Sequence, residues 1–255
     1  MSVKSAERIL DIIDYLSSDE NGSTLMELAN RLEIPKSSMS QLLSTMLGKE
    51  YVVKSEANTY KLGHKLITAG NRARITNDIY SASRTVLRKA GEKTGETVFL
   101  AIRSEAEIIY LAKVDNERSA RTTAQPGMRK PLHCTGLGKV FLAFENEHIR
   151  NEIFNNIQLE AHTPNTITDP EELKGKIDEY RRQGYSIDDE ENDVGVYCVA
   201  SPILNDQGEV IAAISCAGSK PRMADKKNEV IETITSAANE ISITQGFDGG
   251  GQIWK

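Results

Sequence analysis

The sequence predicts an α+β protein built from a small helical domain and a larger domain of mixed strands and helices. The chain has 255 residues, which is enough for one large or two modest domains. Apolar residues recur at helical spacing near the N-terminus, whereas later segments combine strand-like and helical runs. Charge is also uneven, because residues 36–74 hold seven Lys or Arg and two Asp or Glu, although the whole chain has a net charge of −6.

The composition favours a globular protein of the cytoplasm. Apolar residues make up 39% of the chain and charged residues 27%, and no apolar run approaches the roughly 18 residues that span a bilayer. The first residues lack an apolar signal core, so we expect a cytoplasmic location and no membrane partner. Cys134, Cys198 and Cys216 cannot all pair within one chain, and a disulfide framework is not expected.

The first 48 residues predict three short helices. Residues 9–16 place apolar side chains at positions i, i+3, i+4 and i+7, which form one face of an amphipathic helix. Thr24 and Glu27 have the spacing of a capping box and open a second helix. After Pro35, a third helix has one apolar face and an opposite face that carries small polar residues without a carboxylate.

The third helix has the features of a recognition helix, which enters the major groove of DNA. Gln41 can pair with a base edge and Lys36 can reach a phosphate. Two short runs around residues 56–58 predict a hairpin, and helices followed by a hairpin form a winged helix-turn-helix. We therefore expect residues 1–75 to bind double-stranded DNA. The expected contacts are Lys36, Ser37, Ser38, Ser40, Gln41, Ser44, Thr45, Lys54 and Lys61.

The rest of the chain predicts a second domain. We expect it to span residues 76–246, to begin with a helix over 76–91 and to be followed by a flexible tail, 247–255. The helix at 76–91 is the expected dimer seam. Strand-like and helical runs then alternate without an internal repeat, which favours an α+β domain.

Individual elements of this second domain follow from local patterns. Residues 97–102 and 108–114 are strand-like, and residues 205–208 have the composition of a hairpin turn between two later strands. Thr168 and Glu171 have capping-box spacing, which predicts the start of another helix.

Residues 131–144, PLHCTGLGKVFLAF, raise the question of a chemical site. A phosphate-binding P-loop would need glycine in place of His133 and a hydroxyl in place of Val140, so that class is excluded. A nucleophile at Cys134 would need a positioned base, and His133 is adjacent in sequence. Neighbours in an extended segment point to opposite faces, which disfavours this pair.

A metal site could draw on His133, Cys134, His162, Cys198 or the acids of residues 188–193. The sequence has no paired ligand spacing of the C-x-x-C or H-x-x-x-H type. We expect no bound metal, no cofactor and no catalytic residue. A metal-binding sensor and a thiol-dependent enzyme that uses Cys134 remain alternatives.

The remaining interpretation of this segment is the wall of a pocket. Gly136 and Gly138 precede a helix whose first N–H groups point outward, and such an N-terminus favours an anion. A small carboxylate is therefore the expected ligand.

Taken together, these patterns resemble the IclR family of bacterial transcription regulators. Four segments carry the resemblance: IPKSSMSQLLSTM, YKLGHKLITAG, PLHCTGLGKVFLA and NDVGVYCVASPILNDQGEVIAAISCAG. The resemblance implies a winged helix-turn-helix, a linker helix and a GAF-like ligand-binding domain with an antiparallel sheet. It also implies a homodimer or dimer of dimers that binds operator DNA, more often as a repressor, and responds to a small-molecule effector.

The resemblance further implies which residues contact the effector. Family members that bind small keto acids use backbone N–H groups, an acid, a cysteine and two hydroxyls, but here Ala217 replaces the second hydroxyl. This change could favour a larger, more apolar acid. The recognition helix also departs from the family, which often has arginine where this chain has Gln41. The expected ligand-binding residues are Met128, Leu132, Gly136, Leu137, Asp188, Cys198, Ser215 and Ala217.

Overall fold

The computed structural model describes residues 3–75, 78–115 and 123–248. The chain divides into two compact units, Met1–Thr76 and Asn77–Lys255. The first two residues of the helix expected over 76–91, and residues 249–255 of the expected tail, lie outside the described residues. Within the described ranges, no helix is both long enough and apolar enough to cross a membrane.

The N-terminal unit contains the three predicted helices followed by a hairpin. Its helices are α1 (Lys4–Ser17), α2 (Leu25–Arg31), α3 (Lys36–Gly48) and α4 (His64–Ile75). Its strands β1 (Ser23–Thr24), β2 (Val52–Lys54) and β3 (Thr59–Leu62) form an antiparallel sheet in the order β1-β3-β2.

The predicted capping box at the start of α2 is confirmed. The backbone N–H of Glu27 donates to Thr24 Oγ1 at 3.3 Å, and the backbone N–H of Thr24 donates to the Glu27 carboxylate at 2.7 Å. Two N–H groups that the helix itself cannot satisfy thereby gain acceptors. The cap fixes where α2 begins and therefore where the turn into α3 falls.

The C-terminal unit is organised around a six-stranded antiparallel sheet of order β6-β5-β4-β9-β8-β7. The strands are β4 (Thr97–Ser104), β5 (Glu107–Val114), β6 (Arg129–Pro131), β7 (Ser186–Asp189), β8 (Val196–Leu204) and β9 (Val210–Ser219). The helices are α5 (Asp78–Thr94), α6 (Gly136–Phe144), α7 (Glu147–Asn156), α8 (Pro170–Gln183), α9 (Lys220–Asp225) and α10 (Lys227–Thr244).

Helices cover both faces of this sheet. Phe99 and Ala101 pack with α6, α7 and α8, whereas Val98 and Leu100 pack with α5, α9 and α10. Because both faces are buried, β8 and β9 are almost continuously apolar instead of alternating with polar residues.

The predicted capping residue of α8 is wrong by one position. Asp169, not Thr168, caps the helix, and its carboxylate accepts from the Glu172 N–H at 2.8 Å. The reason is Pro170, which occupies the first helical position because it has no N–H to satisfy there. The helix ends at Gly184, which has a positive φ of 85°.

Gly138 lets α6 begin directly against the turn that precedes it. A Cβ at this position would lie 2.3 Å from the Leu132 carbonyl oxygen, much closer than any real Cβ contact. The obstacle is backbone, which cannot move aside as a flexible side chain can. The geometry of the α6 N-terminus therefore requires glycine at position 138.

Replacing Gly138 with alanine is expected to lower the free energy of unfolding by about 1–3 kcal/mol, the usual cost of overpacking. Gly175→Ala is the matched control, because Gly175 lies in α8 with nothing within 4 Å of its would-be Cβ. That change should raise stability by about 0.5–1 kcal/mol. Urea denaturation followed by circular dichroism measures both, and equal effects of the two substitutions would contradict the packing argument.

Candidate functional site

The start of α6 forms one wall of the candidate site. Thr135 caps the helix, since its hydroxyl accepts from the Gly138 N–H at 3.0 Å and donates to the Pro131 carbonyl at 3.0 Å. The N–H groups of Gly136 and Leu137 lie in the first turn, before any helical acceptor exists for them. They carry the positive end of the helix dipole and can bind an anion.

A cleft of about 450 Å³, including the space at its open mouth, lies beside this helix start. The sheet forms its other wall, through residues of β4, β5, β8 and β9. Six of the eight ligand-binding residues expected from the sequence line the cleft: Gly136, Leu137, Asp188, Cys198, Ser215 and Ala217.

The other two expected residues lie elsewhere. Met128 is exposed, and its sulfur accepts from the Gln125 N–H at 3.3 Å. Leu132 is fully buried in the core beneath α6. Neither belongs to the set of residues that line the cleft.

Sequence reasoning missed about half of the lining. The additional residues are Phe99, Tyr110, Ala124, Lys130, Thr135, Asn192, Asp193 and Val196. Phe99 is a clear case, because it lies directly opposite Ser215 in the β4–β9 pairing. Strand alternation places Phe99 on one face of its strand, but the register that puts it beside Ser215 is not encoded in either segment alone.

Ser215 offers the cleft an unused hydrogen-bonding group. Its side chain is fully buried on β9, and Oγ makes no hydrogen bond of normal geometry among the described residues. The Cys198 thiol lies near it but is a weak hydrogen-bonding partner. Leaving a buried polar atom unpaired costs about 1–3 kcal/mol, so such atoms usually meet a ligand or water. Two residues further along the same face, Ala217 presents a methyl group.

Asp188 provides a carboxyl group whose charge is marginal at neutral pH. Burial raises its pKa to about 7, although the nearby Lys139 acts in the opposite direction. The Asp188 carboxylate accepts from the Glu191 N–H at 2.8 Å and from the Asn192 N–H at 3.4 Å. The group can therefore donate a hydrogen bond below about pH 7 and repel an anion above it.

Lys139 is a fully buried cation behind the cleft. Its ammonium group donates to the Glu191 carboxylate and lies 5.5 Å from the ring centroid of Tyr180. Within the acidic run 188–193, Asp188 and Glu191 are buried, whereas Asp193 is exposed. These two acids have polar partners inside the domain, because Glu191 accepts from Lys139 and Asp188 accepts backbone N–H groups.

The two cysteines near α6 carry thiols that stay protonated at neutral pH. Burial and the Asp188 carboxylate raise the pKa of Cys198, which lines the cleft. Burial likewise raises the pKa of Cys134 to about 12. A thiol that is neutral at pH 7 is a poor nucleophile, so the alternative of a thiol-dependent enzyme gains no support.

The expected DNA-binding residues all belong to the N-terminal unit, and seven of the nine lie on α3. Six of these seven are exposed, and Ser38 is half-buried. Lys54 and Lys61 lie on the β2–β3 hairpin, where the Lys61 ammonium donates to the Glu20 carbonyl at 3.1 Å. The first turn of α3 contains no acidic residue, so its free N–H groups can face a phosphate.

Comparison with known proteins matches both units. The family described as IclR helix-turn-helix domain matches residues 5–56, and the family described as bacterial transcriptional regulator IclR C-terminal matches residues 73–243. The HTH-type transcriptional regulator KdgR of Dickeya chrysanthemi is 32% identical over 248 residues, 96% of this chain and 81% of that protein. The transcriptional repressor IclR of Escherichia coli (strain K12) is 30% identical over 248 residues, 96% and 90% of the two chains. These relatives are regulators rather than enzymes.

Solved structures confirm the predicted α+β fold class. An IclR transcriptional regulator from Alicyclobacillus acidocaldarius matches with a TM-score of 0.85 and 27% identity, covering 96% of this chain and 100% of that one. An IclR homolog from Microbacterium hydrocarbonoxydans, complexed with 4-hydroxybenzoate, matches with a TM-score of 0.81 and 20% identity, covering 94% and 98%. The second likeness concerns the fold alone.

Asp188→Asn is expected to change how stability depends on pH. An unfolded Asp titrates near pH 3.9, so between about pH 4 and 7 the native state binds more protons, and this group makes stability fall as pH rises. The free energy of unfolding of the variant, relative to that of the parent, should therefore be about 1–3 kcal/mol higher at pH 8 than at pH 5. Urea denaturation at the two pH values measures this.

Asp193→Asn is the control for that experiment, because Asp193 also lines the cleft but is exposed. Its pH profile should follow that of the parent. Parallel profiles for the parent and Asp188→Asn would show that Asp188 titrates as an ordinary solvated carboxyl.

Proposed function

The chain belongs to the IclR family of bacterial transcriptional regulators, and we propose that it is a repressor whose operator binding is controlled by a small carboxylate in the cleft beside α6. The observation that carries this proposal is the meeting of an unpartnered, buried Ser215 hydroxyl with the free N–H groups at the start of α6. The repressor assignment draws support from the Escherichia coli relative, which is a transcriptional repressor.

The charge distribution supports a role for the N-terminal unit in holding DNA. Residues 36–74 have five more basic than acidic side chains in an otherwise acidic protein. Lys36 at the start of α3 and the lysines of the hairpin would contact phosphates, while Gln41 and the hydroxyls of α3 face the bases. A homodimer or a dimer of dimers would present two such helices to an operator with two half-sites.

The polar groups of the cleft favour a carboxylate as the ligand. The N–H groups of the first turn of α6, the Ser215 hydroxyl and the Lys130 ammonium are all donors in its lining. Asp188 adds a further donor when it is protonated. Since a carboxylate accepts several hydrogen bonds but donates none, it matches this set of donors.

The apolar groups of the cleft favour a ligand with a hydrocarbon or aromatic body. Phe99 and Tyr110 line one side, with ring centroids 5.1 Å apart, and Ala217 lies opposite α6 on β9. Aromatic rings pair well with such side chains. The fold neighbour from Microbacterium hydrocarbonoxydans is complexed with 4-hydroxybenzoate, an aromatic acid of this kind.

The regulatory step would be a shift between two arrangements of the dimer. A ligand can change operator affinity only through its difference in affinity for these arrangements. The helices α4 and α5 belong to different units and would transmit this difference. Effector binding would then favour the arrangement that fits the operator less well.

Lys36→Ala should weaken DNA binding and reduce its dependence on salt. Loss of one phosphate contact reduces the slope of log affinity against log salt by about one. Fluorescence anisotropy over a salt series measures the slope on labelled DNA from directly upstream of the gene. Lys174→Ala, on α8 of the other unit, removes the same charge as a control. Equal slopes for both variants would remove Lys36 from the phosphate contacts.

Ser215→Ala should weaken carboxylate binding by about 10- to 150-fold, since a hydrogen bond to a charged group contributes about 1.5–3 kcal/mol. Isothermal titration with 4-hydroxybenzoate and with glyoxylate measures this for an aromatic and a small acid. The control is Ser201→Ala, because Ser201 is equally buried but donates to the Gly184 carbonyl. DNA binding without ligand should be unchanged in both variants. Unaltered carboxylate affinity in Ser215→Ala would mean that the ligand binds elsewhere.

A further inference from the structure

The turn before α6 and the loop after α7 bring together three side chains that the cleft does not use. His133 and Cys134 lie in the turn between β6 and α6, and His162 lies in the loop between α7 and α8. One ligand atom from each of the three lies within 4.8 Å of the others. We propose that His133, Cys134 and His162 form a binding site for one zinc ion per chain.

The turn explains how consecutive residues can share a site. The expectation that His133 and Cys134 point to opposite faces assumed an extended segment. The structure has a hydrogen-bonded turn at residues 132–134, which brings a ring nitrogen of His133 and the Cys134 sulfur within 4.8 Å of each other. A turn brings these ligands together, so the site lacks the C-x-x-C or H-x-x-x-H spacing that usually reveals a zinc site in a sequence.

His133 has the hydrogen bonding of a metal ligand. Its Nε2 lies 2.9 Å from the Glu160 carbonyl oxygen, which fixes the proton on that nitrogen because a carbonyl can only accept. Its Nδ1 is buried and has no partner among the described residues. Metal-bound histidines typically donate the second ring N–H to a carbonyl or carboxylate in this way, and the free nitrogen then faces the ion.

The backbone that carries His162 is held in place by two buried threonines. The N–H of His162 donates to Thr166 Oγ1 at 3.0 Å, and Thr166 Oγ1 donates to the Glu191 carbonyl at 2.6 Å. Thr163 Oγ1 donates to the Glu190 carbonyl at 2.6 Å. These hydrogen bonds hold the backbone of His162 in place. Its imidazole is exposed and can rotate inward by the roughly 1 Å that zinc coordination requires.

The chemistry of the three ligands favours zinc over calcium or magnesium, which prefer oxygen. Two imidazoles and one thiolate supply three positions of a tetrahedron and leave the fourth to water. On binding, the Zn–S bond forms as the Cys134 thiol releases its proton to solvent, and both imidazoles bind in their neutral form. The ion would cross-link the turn that starts α6 to the loop before α8.

The site is distinct from the cleft. His133, Cys134 and His162 are not among the residues that line the cleft, where the cysteine is Cys198. The two sites adjoin each other, because Thr135, next to Cys134 in the chain, lines the cleft, and so does Asn192, whose Oδ1 lies 3.9 Å from Cys134 Sγ. Zinc binding can therefore be measured without DNA or effector.

The test is a titration of the untagged, reduced, chelator-treated full-length protein with Co²⁺, followed by displacement with Zn²⁺. We expect one equivalent of cobalt, with the visible absorption of a tetrahedral ion and a thiolate charge-transfer band, and stoichiometric displacement by zinc. Cys134→Ala should remove the charge-transfer band. Both Cys134→Ala and His162→Ala should weaken zinc binding at least about tenfold.

Three controls make the outcome specific. Cys216→Ala removes a buried thiol on the opposite face of the sheet, and His148→Ala removes an exposed imidazole on α7. Cys198→Ala removes the thiol of the cleft. All three should bind cobalt and zinc like the parent. Because His162 is exposed, His162→Ala keeps the test valid if Cys134→Ala fails to fold.

Absence of saturable zinc binding by the parent at micromolar protein would overturn the proposal. So would unchanged affinity in His162→Ala, or loss of binding in Cys198→Ala, which would assign the metal to the cleft instead.

Discussion

The close docking of α6 on the sheet is the constraint on which the candidate site depends. A Cβ at Gly138 would collide with the Leu132 backbone, and one at Gly136 would lie only 3.1 Å from Cys198 Sγ. Two glycines therefore allow the helix to start against β8, with its first N–H groups beside the sheet. The Thr135 cap then fixes which N–H groups are already satisfied and which remain for a ligand. A bulkier residue at position 138 would collide with backbone, whereas one at position 136 would press on the Cys198 side chain.

Buried charged groups lie next to this helix start and set the electrostatics of the cleft. Lys139 is a fully buried cation, and its ammonium group donates to the Glu191 carboxylate. The loop after β7 folds inward because Glu191 makes this contact and Asp188 accepts backbone N–H groups. Pairing offsets only part of the cost of burying these charges, because burial still raises the pKa of both Asp188 and Glu191. One consequence is that Asp188 stays close to its protonation midpoint at neutral pH. A carboxylate ligand would meet a hydrogen-bond donor where Asp188 is protonated and a repelling charge where it is ionised.

The sequence predicts much of the fold, because the signals are local. Helical spacing, the Thr24–Glu27 capping box and the turn at residues 205–208 each act within a few residues, and the structure has the corresponding elements. Short strands such as β6 (Arg129–Pro131) are too brief for a period to appear. The site is less predictable, because strand register and the inward fold of an acidic loop join distant segments: Phe99 meets Ser215 only through pairing between strands.

The central claim is that a carboxylate in the cleft of the C-terminal unit controls operator binding by the N-terminal unit. The most direct measurement is fluorescence anisotropy on labelled DNA from directly upstream of the gene, near physiological salt, with excess nonspecific competitor and with or without 4-hydroxybenzoate or glyoxylate. The account predicts saturable binding that survives the competitor and falls when a carboxylate that binds the cleft is added. DNA binding that stays constant while that carboxylate saturates the cleft would contradict it.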